Sequence, residues 1–153
     1  MITGMVTLRD VIASDLGVFF DFQDDPVANE MAAFPARDRA AHDAHWAKIV
    51  PDPACVTRTI ADADVVVGNI CSWVMDDERL VGYWIGREYW GRGVASHALQ
   101  LFVADVVPQR PLFAHVVEQN LGSIRVLEKV GFTAVGRQSS DDDPVIEIVM
   151  KLS

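Results

Sequence analysis

Apolar and polar positions change their spacing several times along this chain, and each change marks a predicted element. Leu80 to Ile85 is a short apolar and aromatic run closed by Gly86, which reads as a well-buried strand. From Val94 to Val107 the spacing turns helical, with Ala95, Leu99, Phe102 and Val106 on one face and Pro108 as the stop. Upstream, Val6 to Arg9 predicts a first strand, and a helix follows from about Ser14, whose hydroxyl can cap it, to Phe22. Asp25 and Pro26 supply a cap and a first-turn proline for a short second helix that fades near Phe34 and Pro35. Asp38 caps a third helix, which turns Trp46, Ile49 and Val50 inward and ends at Pro51.

The middle of the chain reads as an antiparallel meander. Cys55 to Ile60 and Val65 to Val74 are strands joined by Asp62, Ala63 and Asp64, and Asp76 to Glu78 turns the chain back into Leu80 to Ile85. Leu112 to Val117 is apolar on both faces apart from His115, which marks it as interior to the sheet. Asn120 can cap a helix that runs to Val130 with Ile124, Leu127 and Val130 facing in, and Gly131 ends it. In a last hairpin, Val145 to Leu152 sets Ile146, Ile148 and Met150 against Glu147, Val149 and Lys151. The acidic run Asp141 to Asp143 is its solvated turn. No linker or repeat interrupts the pattern, so residues 1–153 are expected to form one α+β domain.

Composition narrows the function classes. Half of the 153 residues are apolar, enough for a real core and too many for a disordered chain. No stretch reaches the roughly 18 apolar residues that a membrane span needs, and Met1 to Asp10 lacks the layout of a signal peptide, so a cytoplasmic protein is expected. Cys55 and Cys71 have no metal or redox spacing and read as free packing thiols. A net charge of -9 argues against nucleic acid. The same charge would gather a cationic amine near a site, or simply keep the protein in solution.

Between the central strand and its helix lies the loop Gly91, Arg92, Gly93, Val94, Ala95, Ser96. Two positions without side chains, opening straight into a helix, aim several backbone N–H groups and the positive end of the helix dipole at one point, which suits a phosphate or pyrophosphate. A Walker loop is excluded, because no GxxxxGK followed by Ser or Thr occurs. The dinucleotide fingerprint GxGxxG matches only two of its glycines, with Ser96 in the third place, and lies in mid-chain with one strand-helix-strand unit after it.

The remaining reading is a resemblance. Trp90 to Ala95 fill the acyl-coenzyme A pattern of the GNAT acetyltransferase superfamily, Q/R-x-x-G-x-G/A, with Trp90 in place of the usual Gln or Arg. The run GYWIGREYWGRGVASHAL, Gly82 to Leu99, resembles the RimJ/RimL-type branch, where a Tyr-Trp pair commonly precedes the loop. Asn120 to Phe132 looks like that branch's N-x-x-S-x-x-x-L-E-K-x-G-F segment, and one strand separates the two motifs. The resemblance implies a GNAT fold, a central, mostly antiparallel mixed sheet flanked by helices with the acyl-CoA loop after a central strand.

It also implies an acetyl-CoA-dependent N-acetyltransferase, in which a neutral primary amine attacks the thioester directly in a ternary complex. Backbone groups of Tyr83, Trp84 and Ile85 would pair with the pantetheine arm, and an amide from that stretch would face the thioester oxygen. Amides of Gly91, Arg92, Gly93, Val94, Ala95 and Ser96 would hold the pyrophosphate, the Arg92 side chain would either add a contact or simply be exposed, and Asn120 belongs to the same coenzyme segment. No metal is implied. The acceptor is a protein N-terminus or a small-molecule amine, and the family leaves a homodimer open.

The proton steps are less defined. Many superfamily members carry a tyrosine seven residues after the motif asparagine as the acid for the thiolate, but Leu127 stands there. Ser123 is the branch's alternative donor, or else a first-turn serine that satisfies a helix N–H. His115 holds the position of a glutamate that some protein N-terminal acetyltransferases use as base. An imidazole suits that task near neutral pH, and a histidine hydrogen-bonded within the sheet is the other reading. Leu80 replaces an acidic residue common in the branch, leaving Glu78, Asp77 and Glu118 as reserve bases.

His42 and His45, three apart on a helix, lack a third ligand and read as a solvated face. Trp73, Trp84 and Trp90 read as core and pocket wall, and Phe34 as either pocket wall or packing against the sheet. The alternative from another class is a non-catalytic acyl-CoA binding or sensing module, motivated by Leu127 and Leu80.

Overall fold

The protein is described by a computed structural model that covers residues 5–140 and 143–153. Strand β1 (Val6–Arg9) leads into helices α1 (Asp15–Gln23), α2 (Pro26–Ala32) and α3 (Arg39–Ile49). Strands β2 (Val56–Asp62), β3 (Val65–Met75) and β4 (Glu78–Ile85) follow, then α4 (Val94–Leu101), β5 (Leu112–Val117), α5 (Leu121–Val130), β6 (Thr133–Ser140) and β7 (Asp143–Leu152). Among the described residues the strands form one sheet in the order β1-β2-β3-β4-β5-β7-β6. Every neighbouring pair is antiparallel except β4 and β5. The mixed, mostly antiparallel α+β architecture is the one expected.

The meander closes through two-residue turns that the sequence marks with acidic residues. Ala63 and Asp64 have φ of 48° and 69°, and Asp76 and Asp77 have 53° and 62°, the left-handed pair that lets a short turn follow the twist of the strands. Register then fixes the two faces. Ile60, Ile70, Val81, Ile85, Leu112, Ala114 and Val116 meet α4 and α5 in the core, where Leu99, Phe102 and Leu127 lie at 0 to 2% exposure. Burying such side chains contributes about 1.5–3 kcal/mol each. The opposite face carries α1, and α3 packs on α1 through Trp46, whose ring is tilted against that of Phe19 with centroids 4.9 Å apart.

Several expectations are corrected. Ser14 makes no side-chain cap, because its backbone is already helical; Asp15 instead takes the Ile12 N–H at 3.0 Å. Val50 is exposed, since α3 ends at Ile49 and packs on α1 through its Trp46 side. His42 is buried rather than solvated, because α3 lays it edge-on against Phe20 and beside Trp46. The helix predicted to Val107 is regular to Leu101 and then widens, with the Val107 N–H donating to Phe102 O at 2.7 Å. Along β7, Val145 to Val149 are all half-buried and Met150 is buried, so the predicted alternation is blunted. Of the predicted acidic turn, Asp143 begins β7, and Asp141 and Asp142 lie outside the described residues.

Asp25 and Asp38 cap α2 and α3 as read, accepting from Val27 N at 3.1 Å and Ala41 N at 2.8 Å. Both cysteines are free thiols. Among the described residues no helix is long and apolar enough to cross a membrane, and no group of three His, Cys, Asp or Glu is placed to hold a metal.

Candidate active site

The sheet opens at its centre. β4 and β5 run parallel, yet only Leu80 and Phe113 pair, so the strands diverge beyond that point. On its other edge β4 stays paired with β3 as far as Ile85 opposite Gly68, and Gly86 N–H donates to Val67 O at 2.9 Å. Backbone groups alternate sides along a strand, so the groups of Gly82 and Trp84 face β3 while those of Tyr83 and Ile85 face the opening. Of the three residues assigned to the pantetheine arm, Trp84 thus has its peptide groups turned to β3 rather than to the opening.

A cavity of about 390 Å³ fills the opening. Tyr83, Trp84 and Ile85 line one wall, Trp90, Gly91 and Gly93 to Ser96 a second, and Asn120, Gly122 and Ser123 a third. Arg92 is not among the lining residues; its guanidinium lies over the Tyr89 ring, 5.6 Å from the centroid. Gly91 and Gly93 have φ of 77° and 78°, and an added Cβ at either would meet nothing within 4 Å. The glycines answer a backbone requirement, therefore, and their surroundings are open. Gly93 caps α4 with no side-chain bond, so the first-turn amides of the helix point outward unpaired by any side chain. That cradle, beside the stretch of the β4 edge that β5 leaves unpaired, fits a pyrophosphate attached to an extended amide-bearing arm.

Two hydroxyls meet inside the cavity. Tyr83 OH and Ser123 Oγ are 2.6 Å apart, and either can donate. Asn120 holds the serine by accepting its backbone N–H at 3.2 Å, the cap expected of that asparagine. The serine hydroxyl is turned to the phenol rather than back to a helix amide. Burial pushes the Tyr83 phenol up to about 12, with the bond to Ser123 pulling the other way. Leu127 lies one turn further along α5 at 2% exposure, inside the core.

His115 is not among the cavity-lining residues. It stands on the sheet face opposite Ser123, half-buried, with Nδ1 3.1 Å from Nε2 of Gln138, which also donates to Glu147 at 3.2 Å. Of the reserve bases, Glu118 is ion-paired with Arg137, and Asp77 and Glu78 are exposed on the turn into β4. Among the described residues, no Asp, Glu, His, Lys or Arg lines the cavity.

Ala28, Met31 and Ala32 of α2 and Val126 of α5 also line the cavity; the family resemblance implies that this helical region overhangs the acceptor site but singles out none of these four side chains. Trp84 donates its indole N–H to Phe22 O at 3.0 Å and meets Phe34 edge-on with centroids 5.8 Å apart, so Phe34 packs against the sheet as one of its two readings required. Trp90 lines the cavity with its N–H on Ile85 O at 2.9 Å.

Comparison with known proteins agrees with this geometry. A spermidine N-acetyltransferase from Vibrio cholerae, solved in complex with CoA and spermine, superposes with a TM-score of 0.82 at 16% identity, over 97% of this chain and 95% of that one. A GNAT-family acetyltransferase from Bacillus anthracis gives 0.82 at 15% identity over 98% and 95%. An acetyltransferase from Agrobacterium tumefaciens str. C58 gives 0.80 at 19% identity over 100% and 93%. At these identities the likeness is one of fold. No curated protein matches the chain. The family described as acetyltransferase (GNAT) domain matches residues 5–133, and this chain therefore belongs to the GNAT family, acetyl-CoA-dependent acyltransferases that acetylate an amine.

Proposed function

We propose that this enzyme is an N-acetyltransferase of the RimJ/RimL type that binds acetyl-CoA in the opening between β4 and β5. The observation that carries the reading is the single cavity lined at once by the Tyr83 to Ile85 edge, the Gly91 to Ser96 loop and the Asn120 to Ser123 turn. Peptide groups of Tyr83 and Ile85 hold the pantetheine arm as an added strand, and one of their amides faces the thioester oxygen. Amides from Gly91 to Ser96 hold the pyrophosphate, Arg92 adds a salt-dependent contact, and Asn120 orients the turn beside the thioester.

Acetyl-CoA supplies an activated acyl group. This chain's residues orient it, exclude water and manage two protons. Ser123 is the donor for the departing thiolate, supported by a position that points its hydroxyl into the cavity while Asn120 fixes its backbone. His115 is the base that takes the amine's proton through water. Support comes from its place on the same sheet face as Trp84, across the opening.

The acceptor is a primary amine, a small molecule or a protein N-terminus, entering beneath α2.

Calorimetric titration with acetyl-CoA, repeated with Gly93→Glu, tests the donor site. Micromolar binding that vanishes in the variant, followed by thiol release with an amine panel, is the expected result. Equal binding by both proteins would move the coenzyme away from this loop.

A further inference from the structure

The tyrosine that many family members carry on α5 is absent, and the chain places another phenol against the same turn from a different element. Tyr83 comes from β4, forty positions upstream of Ser123, and its side chain crosses the cavity wall to meet the serine at the first turn of α5. The two oxygens are 2.6 Å apart, a short contact for hydroxyls. Both residues line the cavity, and the serine's backbone is fixed by Asn120. Leu127, buried in the core, cannot donate.

We propose that Tyr83 and Ser123 form a two-hydroxyl relay in which the phenol supplies the proton that Ser123 passes to the departing sulfur. This rests on the donor-site reading above and adds a role for a side chain whose backbone alone was assigned. The amine nitrogen forms its bond to the acetyl carbon, the C–S bond breaks, and its electron pair stays on sulfur. Sulfur takes the Ser123 proton as Oγ takes the proton of Tyr83. The phenolate then regains a proton from water, and the amine's proton passes through water to His115, which returns it to solvent, so charge and protons balance.

Serine alone is a poor source of this proton, because its alkoxide is far more basic than a phenolate. A phenol behind it lets both transfers occur together without an alkoxide ever standing free. Nothing charged lines the cavity to ionise the phenol early. Burial keeps it protonated at working pH, and the bond to Ser123 opposes that only in part. Tyr83 acts through Ser123 and is a positioning and relay residue rather than one that touches the sulfur.

The test replaces Tyr83 with a ring-fluorinated tyrosine, which keeps the shape and acidifies the phenol. Its ionisation is read by fluorine NMR on the protein without substrate. In parallel, kcat is followed against pH, and acetyl-CoA binding is measured by calorimetry. The relay requires that kcat fall with rising pH along the fluorine titration while the unmodified enzyme shows no such limb in that range. Tyr83→Phe should lower kcat on the order of 100-fold with KM for acetyl-CoA nearly constant, and adding Ser123→Ala should cost little more. A kcat that ignores ionisation of the fluorinated phenol, or losses in the two single variants that simply multiply, would overturn the relay while leaving the donor site standing. Absence of acetyl-CoA binding by the unmodified protein would remove the donor-site reading and the relay together.

Discussion

The indole N–H of Trp90 donates to the carbonyl of Ile85 at 2.9 Å, tying the first residue of the phosphate-type loop back to the last residue of β4. The bond takes up one peptide acceptor on the strand edge that faces the opening and sets where that edge stops being available. It also shows how a tryptophan serves at a position where the family usually has Gln or Arg: all three present an N–H. Trp90→Phe keeps much of the ring and loses the donor, at a cost of about 1 kcal/mol. Calorimetry should show acetyl-CoA binding roughly fivefold weaker, and Trp90→Gln should recover part of it. Equal affinity in the unmodified protein and the Trp90→Phe variant would mean that the bond does not shape the site.

Gly91 and Gly93 make a separate claim about stability. Each holds a left-handed φ with open space around the missing Cβ, so a methyl group meets backbone strain and no clash. Gly93→Ala should destabilise the fold by roughly 1–2 kcal/mol, and Gly93→Asn by less, because a short polar side chain tolerates that conformation. Urea denaturation reads both. Losses equal in Ala and Asn variants would point to a packing cause instead.

What the sequence could and could not announce follows the range of each interaction. The caps at Asp25, Asp38 and Asn120 act over two or three residues, and all three are present. Leu80 to Ile85 and Leu112 to Val117 read as interior strands from composition, yet their divergence after the Leu80 and Phe113 pair depends on backbone direction, which leaves no side-chain signature. Tyr83 and Ser123 were each legible as motif positions, whereas their contact spans forty residues and two elements. The Ser14 cap failed because a stronger acceptor one residue on, Asp15, is drawn inward by Arg9 and Thr59 from outside the helix.

Asp15 is the point at which β1, α1 and β2 are joined. Its side chain, 2% exposed, accepts from Arg9 at 2.8 and 2.9 Å, from Ile12 N at 3.0 Å and from Thr59 Oγ at 2.7 Å. Burial alone would raise its pKa, but the Arg9, Ile12 and Thr59 bonds outweigh burial and hold it below the ordinary carboxylate value. The stabilisation is therefore complete above the unfolded carboxylate's pKa and disappears as pH falls through the lower folded value. Asp15→Asn should lose roughly 2 kcal/mol at neutral pH. The gap to the unmodified protein should close as urea midpoints are followed into acid, and a gap independent of pH would assign the effect to packing.

His42 works in the opposite direction. Its ring is buried against Phe20 and Trp46, and Nδ1 has no hydrogen-bond partner, with Asp43 Oδ1 at 3.5 Å as its nearest ionic neighbour. Burial lowers its pKa first, Arg39 and Arg37 add to that, and Asp43 opposes it without winning. A histidine that resists protonation in the folded state but accepts a proton when unfolded makes the fold less stable as pH drops below about 6.5, until the folded value is reached. His42→Phe removes both the orphaned nitrogen and the titration while keeping an aromatic ring between Phe20 and Trp46. Thermal midpoints measured from pH 8 to pH 5 should therefore fall less steeply in the variant, and stability at pH 8 should be equal or higher, since an unpartnered buried nitrogen has been replaced by carbon. Parallel curves for the two proteins would show that the ring finds a solvent partner in solution and that acid sensitivity arises elsewhere.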